Sequence, residues 1–119
     1  MIEILREFIV KEEARGWFEL AFGPGGAWSK LFDRCPGYRG TTLLRDTVNP
    51  CRYLVVDFWD TANQREQVLA DRAEEYAELE ANFAQWTEGV TALGIFKGLA
   101  QATVRPVGRI RRGKAGKSR

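Results

Sequence analysis

Asp57 and Trp59 stand two residues apart in Tyr53-Leu54-Val55-Val56-Asp57-Phe58-Trp59, a run that is otherwise apolar or aromatic. A carboxylate that loses water to burial holds its proton more tightly, which suits it to acid–base work. The run is apolar on both parities, as a strand wet on one face would not be. Both of its faces are therefore expected to be covered. A covered carboxylate has two uses: it pairs with a cation across the sheet, here Arg6 or Arg45, or it stays unpaired as a base.

The elements that must hold these residues can be read on either side of them. Asp46-Thr47-Val48-Asn49-Pro50-Cys51 is rich in turn formers, so Gly40 to Arg45 and Arg52 to Trp59 read as an antiparallel hairpin. Ile2 to Val10 reads as a strand whose even positions are mainly apolar. Ala14, Trp17, Phe18, Ala21 and Phe22 then recur at helical spacing, and Gly23-Pro24-Gly25-Gly26 stops that helix. A short second helix puts Trp28, Leu31, Phe32 and Cys35 on one face. After the hairpin, Thr61-Ala62-Asn63-Gln64 fits a capping box and opens one long helix, with Leu69, Ala73, Tyr76, Leu79, Phe83 and Trp86 on its apolar stripe. Val90 to Phe96 closes the domain as a strand interrupted by Gly94.

That order, strand, helix pair, strand, strand, helix, strand, predicts an α+β, ferredoxin-like βαββαβ fold with a four-stranded antiparallel sheet. Helices cover one sheet face only. A second copy is the economical cover for the other, which would make a two-fold dimeric α/β barrel, a homodimer through the sheet face.

Composition excludes several function classes. The chain has 119 residues, long enough for one domain with its own core. Residues 105–119 hold seven of its 18 bases and no acid, leaving 11 bases against 16 acids and a net charge near −5 in residues 1–104. An acidic domain with a basic tail that is expected to be disordered argues against nucleic-acid binding by the domain itself, although the tail could touch phosphates. Cys35 and Cys51 sit in no paired motif, and no signal peptide or long apolar run is present. A reduced, cytoplasmic protein without a membrane anchor is expected. With no histidine in the chain, no zinc or iron site is expected. The glycine-rich segment lacks the Lys-Ser/Thr of a phosphate loop, and reads as a helix breaker that could also form a lip over a cavity.

Pro36-Gly37-Tyr38-Arg39-Gly40-Thr41-Thr42-Leu43-Leu44-Arg45-Asp46, the strand Arg52-Tyr53-Leu54 to Phe58-Trp59-Asp60, Glu74-Glu75-Tyr76 and Leu93-Gly94-Ile95-Phe96 resemble the antibiotic biosynthesis monooxygenase family of dimeric α/β barrels. The resemblance spans about residues 2–97 and is a diffuse pattern that specifies fold and dimer better than activity. Family members include cofactor-free oxygenases of aromatic polyketides and haem-degrading oxygenases. For haem degradation the resemblance places Trp59 at a matching tryptophan, Glu7 where an asparagine is expected and Tyr76 near the place of a ligand histidine. A Tyr76 phenolate could ligate iron, but Glu74, Glu75 and Glu78 oppose its ionisation, so this branch is the weaker match.

The resemblance to the cofactor-free branch implies an aromatic or quinone-like small-molecule substrate, no cofactor, and a site with a base, an oxyanion donor and dry walls. Glu7 or Asp57 would be the base, Arg45 or Tyr76 the donor, and Trp59, Trp28, Phe83 and Trp86 the walls. Val55 stands where this branch carries an amide four residues before its tryptophan, which sets this chain apart. The alternative is a non-catalytic dimeric barrel that binds a hydrophobic small molecule. Under it Tyr76, Phe83 and Trp86 are core, and Asp57 and Glu7 fix strand register.

Overall fold

A computed structural model describes residues 1–107. The elements are β1 (Ile2–Val10), a 3-10 turn (Glu12–Ala14), α1 (Arg15–Phe22), α2 (Ala27–Phe32), β2 (Tyr38–Arg45), β3 (Arg52–Trp59), α3 (Ala62–Asp71), α4 (Ala73–Trp86) and β4 (Thr87–Lys97), followed by a 3-10 turn (Ala100–Ala102). The strands form one sheet in the order β2-β3-β1-β4, with every neighbouring pair antiparallel. This is the ferredoxin-like arrangement expected from the sequence. The basic stretch expected to be disordered falls outside the described residues from position 108 onward. No helix among the described residues is long and apolar enough to cross a membrane.

Helices cover the sheet face made by the even positions of β1 and the odd positions of β3. Ile4, Phe8, Val10, Tyr53, Val55 and Trp59 are buried there. Phe8 packs at 5.1 Å from Phe18, 6.2 Å from Phe22 and 6.1 Å from Phe83 between ring centroids. Each such side chain contributes roughly 1.5–3 kcal/mol by leaving water. The Asp46 carboxylate shapes the hairpin turn, accepting from the backbone N–H of Val48 at 2.7 Å and of Asn49 at 3.2 Å.

The opposite face carries no helix. Leu54, Val56 and Phe58 of β3 point to it beside Leu5 and Ile9, and Leu44 and Phe96 are 48% and 50% exposed on it. No helix among the described residues covers this side of β3, although Val56 is already buried there within one protomer, so the helices account for the apolar run on one side alone.

Two expectations are corrected. The long helix is interrupted at Arg72, whose φ of −119° and ψ of 35° end α3 and begin α4. No Gly or Pro marks the break. It lies where α3, which packs on β3, gives way to α4, which packs on α1 and α2. The last strand begins at Thr87, directly after α4, and not at Val90. Its irregularity at Gly94, with φ of 135°, accompanies a register shift between Leu5 and Arg6 of β1.

Candidate functional site

Asp57 and Thr87 are the buried polar residues among those described. Thr87 is satisfied locally, its hydroxyl donating to the Phe83 carbonyl at 2.8 Å. Asp57, 4% exposed, is held by tertiary partners instead. Hairpin register puts it opposite Thr41 of β2, and α2 lays Trp28 over the same side of the sheet. The Thr41 hydroxyl donates to Asp57 Oδ1 at 2.5 Å and Trp28 Nε1–H donates to the same oxygen at 2.9 Å. Burial pushes the Asp57 carboxyl above its usual range, while the bonds from Thr41 and Trp28 and the charges of Arg6 and Arg65 pull it back.

Tyr38 extends this arrangement outward. Its hydroxyl is hydrogen-bonded to Thr41 Oγ1. Because the single Thr41 proton is directed to Asp57, Tyr38 is the donor in that bond. Strict alternation would put Tyr38 and Thr41 on opposite faces of β2. Between them the register shifts: Tyr38 pairs with Trp59 while Gly40 pairs with Phe58, and Gly40 adopts φ of 117°. This bulge turns Tyr38 onto the helix side, against Trp59 at 5.3 Å and Phe32 at 5.7 Å.

A cavity of about 220 Å³ opens beside these groups, lined by Trp28, Ser29, Asp33, Tyr38 and Thr41 together with the Phe22-Gly23-Pro24 segment. The glycine-rich breaker does stand at its edge. Arg6 lies on the same sheet face as Asp57, its Cζ 4.8 Å from the Phe8 ring centroid and 5.4 Å from that of Trp28. Its Nη1 meets Glu80 Oε1 at 2.8 Å, while Nη2 and Glu80 Oε2 are buried without a partner. Tyr76 packs 6.0 Å from Trp28 and 6.2 Å from Phe32.

Of the residues singled out in the sequence, the structure therefore gathers Asp57, Trp59, Tyr76 and Trp28. It separates the others. Glu7 projects from the open sheet face, where it meets Arg52 Nε at 2.6 Å, and Arg52 in turn meets Asp46 at 3.0 Å. Odd positions of β1 face away from the helices, so Glu7 and Trp59 cannot share a pocket within one protomer. Arg45 sits at the far end of β2 and pairs with Glu19 at 2.9 Å, next to the Tyr53 hydroxyl. Phe83 is core, stacked on Phe22 at 4.9 Å and 17°, and Trp86 packs 6.0 Å from Phe83 without lining the cavity. Asp57 pairs with neither Arg6 nor Arg45.

Sequence reasoning missed Thr41, Tyr38, Arg6 as the partner of Glu80, and Glu80 itself. The expected hairpin already contained one signal: a turn at residues 46–51 that pairs Arg45 with Tyr53 also pairs Thr41 with Asp57.

No protein-family model matches the chain, and no curated protein matches it significantly. Solved structures do. A mutant of SnoaB, a cofactor-independent oxygenase from Streptomyces nogalater, superposes with a TM-score of 0.68 at 21% identity, covering 82% of this chain and 91% of that one. A structure described as an antibiotic biosynthesis monooxygenase gives 0.61 at 14% identity, over 83% and 99%. Rv0793 from Mycobacterium tuberculosis gives 0.59 at 11% identity, over 86% and 98%. The chain has the fold of the antibiotic biosynthesis monooxygenases.

Proposed function

We propose that this chain is a monooxygenase of the antibiotic biosynthesis type that oxidises an aromatic or quinone-like small molecule without a cofactor, working as a two-fold dimer. The observation that carries the reading is Asp57: a desolvated carboxylate with raised proton affinity, one hydroxyl away from a cavity walled by Trp28 and Tyr38. A carboxylate there can accept a proton from an electron-rich aromatic, whose anion then reacts with dioxygen. For an anthrone the balance is one oxygen atom into the product carbonyl, the other leaving as water. Tyr38, whose hydroxyl is bonded to Thr41 beside the cavity, is the donor available to the developing anion. The likeness to a cofactor-independent oxygenase in fold supports the reading, and the apolar sheet face left open by the helices supports the dimer.

Oxygen uptake with an anthrone tests it. Wild type should exceed the uncatalysed rate, and Asp57→Asn should lower kcat by about 10²-fold or more with the fold intact. Uptake no faster than the uncatalysed rate across anthrones and dihydroquinones would overturn it.

A second reading, a non-catalytic barrel that binds a hydrophobic small molecule, is favoured by the aromatic packing of Phe8, Phe18, Phe22 and Phe83, which fills most of the space between sheet and helices. Under it an anthrone quenches tryptophan fluorescence but no oxygen is consumed. Haem degradation gains no support, because burial together with Glu80 and Asp57 raises the Tyr76 hydroxyl pKa against the phenolate that iron ligation requires, Arg6 and Arg65 opposing only in part.

A further inference from the structure

We propose that Tyr38 and Thr41 form a proton relay that connects a phenolic or enolic ligand in the cavity to the buried carboxylate of Asp57. The inference rests on the cofactor-free oxygenase reading and assigns the route by which its base is reached. Asp57 does not line the cavity, whereas Tyr38 and Thr41 do. Among the groups that line it, Thr41 is bonded to Asp57 Oδ1 directly and Tyr38 through Thr41, as Trp28 is through its indole, whereas Ser29 and Asp33 have no bond to Asp57. The indole N–H is a donor only and cannot pass a proton on.

The hydrogen bonds already run in one direction. Tyr38 donates to Thr41, and Thr41 donates to Asp57 Oδ1. A ligand hydroxyl that donates to the Tyr38 oxygen completes a chain of three hydroxyls ending on a carboxylate. Transfer is then one concerted shift of three protons: as Thr41 gives its proton to Asp57 Oδ1 it takes that of Tyr38, which in turn takes the proton of the ligand. One O–H bond breaks on the ligand and one forms on Asp57, so the ligand becomes an anion and the carboxylate becomes neutral. Tyr38 and Thr41 end with the protonation they began with. No oxidant enters this step; dioxygen reacts afterwards with the anion.

The sequence builds this chain through one local device. The Gly40 bulge sets Tyr38 and Thr41, three residues apart, on the same face. Trp59 and Phe32 pack against the Tyr38 ring, and Trp28 holds the acceptor oxygen from its other side. Packed hydroxyls of this kind have little freedom to reorient, which favours concerted transfer. Asp57 also lies within the charge field of Arg6 from β1 and Arg65 from α3, and near Tyr76 from α4, and the two cations favour its carboxylate form.

Stopped-flow mixing with 4-nitrophenol, a phenol whose anion is coloured, tests the relay independently of turnover. Phenolate should appear rapidly on wild type, at least about 10-fold more slowly on Thr41→Val and Tyr38→Phe, and at near wild-type rate on Thr41→Ser, which keeps the hydroxyl. Asp57→Asn should give no bound phenolate. Tryptophan quenching should show that every variant binds the phenol. The wild-type rate should fall in deuterium oxide along a curve, because more than one proton moves, whereas a purely structural role of Thr41 would change the amount of phenolate and leave rate and isotope effect alone. Wild-type rates in Thr41→Val and Tyr38→Phe, or no phenolate on wild type, would overturn the relay. Failure of the oxygenase reading looks different: phenolate forms through the hydroxyls, yet anthrone gives no oxygen uptake.

Discussion

The indole N–H of Trp28 donates to Asp57 Oδ1 at 2.9 Å, which ties α2 to the buried carboxylate of β3. The tie has an energetic consequence. Trp28→Phe keeps most of the aromatic contact with Phe22 and Phe32 but leaves Oδ1 with Thr41 as its one side-chain donor. Losing a donor to a buried charged acceptor costs about 1–3 kcal/mol. The variant should unfold at lower urea concentration by that amount, and its Asp57 carboxyl should titrate higher than in wild type. A Trp28→Phe protein as stable as wild type at neutral pH would show that the bond contributes nothing net.

Asp57 itself should make stability fall with rising pH. Its carboxyl titrates above the ordinary aspartate value in the folded chain because burial disfavours the anion. The folded state therefore binds the proton more tightly than the unfolded state, so the stabilising contribution is complete below the unfolded pKa near 3.8 and is lost as pH rises through the raised value. Asparagine presents the same Oδ1 to Thr41 and Trp28 without the charge. Asp57→Asn should thus be more stable than wild type at neutral pH, with the gap narrowing as pH falls toward 4. Glu19, Asp46 and Asp60 titrate below their ordinary values because of hydrogen bonds from Tyr53, from the backbone of Val48 and Asn49, and from Arg39 respectively. Their contribution is lost in acid in both proteins and cancels in the comparison. Urea midpoints of the pair from pH 4 to 8 check this, and an unchanging gap would refute it.

Much of this architecture was legible because it rests on local chemistry. The hairpin followed from Asp46 to Cys51, and the helix start from Thr61, whose Oγ1 accepts from the Gln64 N–H at 3.1 Å. The reciprocal half of that capping box differs: the Gln64 side chain receives the Thr61 hydroxyl instead of reaching the Thr61 N–H. Strand parity assigned Asp57 and Trp59 to one face. The same parity, applied to β1, separates Glu7 from them, a step that residue type alone had obscured. The break at Arg72 carries no sequence signal, since packing of two helix segments on different neighbours decides it. Tyr38 was hidden for a different reason, because a single bulged residue inverts parity for everything before it.

Two glycines of the first helical pair, Gly26 and Gly16, should respond differently to one methyl group. At Gly26, which has an ordinary φ of −78°, a Cβ would lie 2.2 Å from the Leu20 carbonyl oxygen and 2.6 Å from that of Ala21. Backbone must move to admit it. Gly26→Ala should cost about 2 kcal/mol or more and loosen the α1 to α2 corner beside Trp28. Gly16, inside α1, has nothing within 4 Å of the same position, so Gly16→Ala should stabilise by up to about 1 kcal/mol. Thermal melts of both variants decide whether space, and not glycine content, sets the requirement.

The proposed dimer makes the last prediction. Leu44 and Phe96 lie on the sheet face without helices and are about half exposed within one protomer, so a charge at either should cost folding little if the protein is monomeric. If a second copy covers that face, the same charge is driven into an apolar seam. Desolvating unpaired carboxylates there would cost several kcal/mol across a two-fold interface, because each substitution occurs twice. A stable interface of this kind should bury more than ~1,200 Å² in total. Light scattering at micromolar concentration should therefore give a dimer for wild type and a monomer for Leu44→Glu/Phe96→Glu, with helical circular dichroism retained and a lower, concentration-independent melting temperature. Wild type should melt higher as it is concentrated. A wild-type monomer under these conditions would remove the barrel, whereas a dimer unaffected by both charges would move the interface to another face.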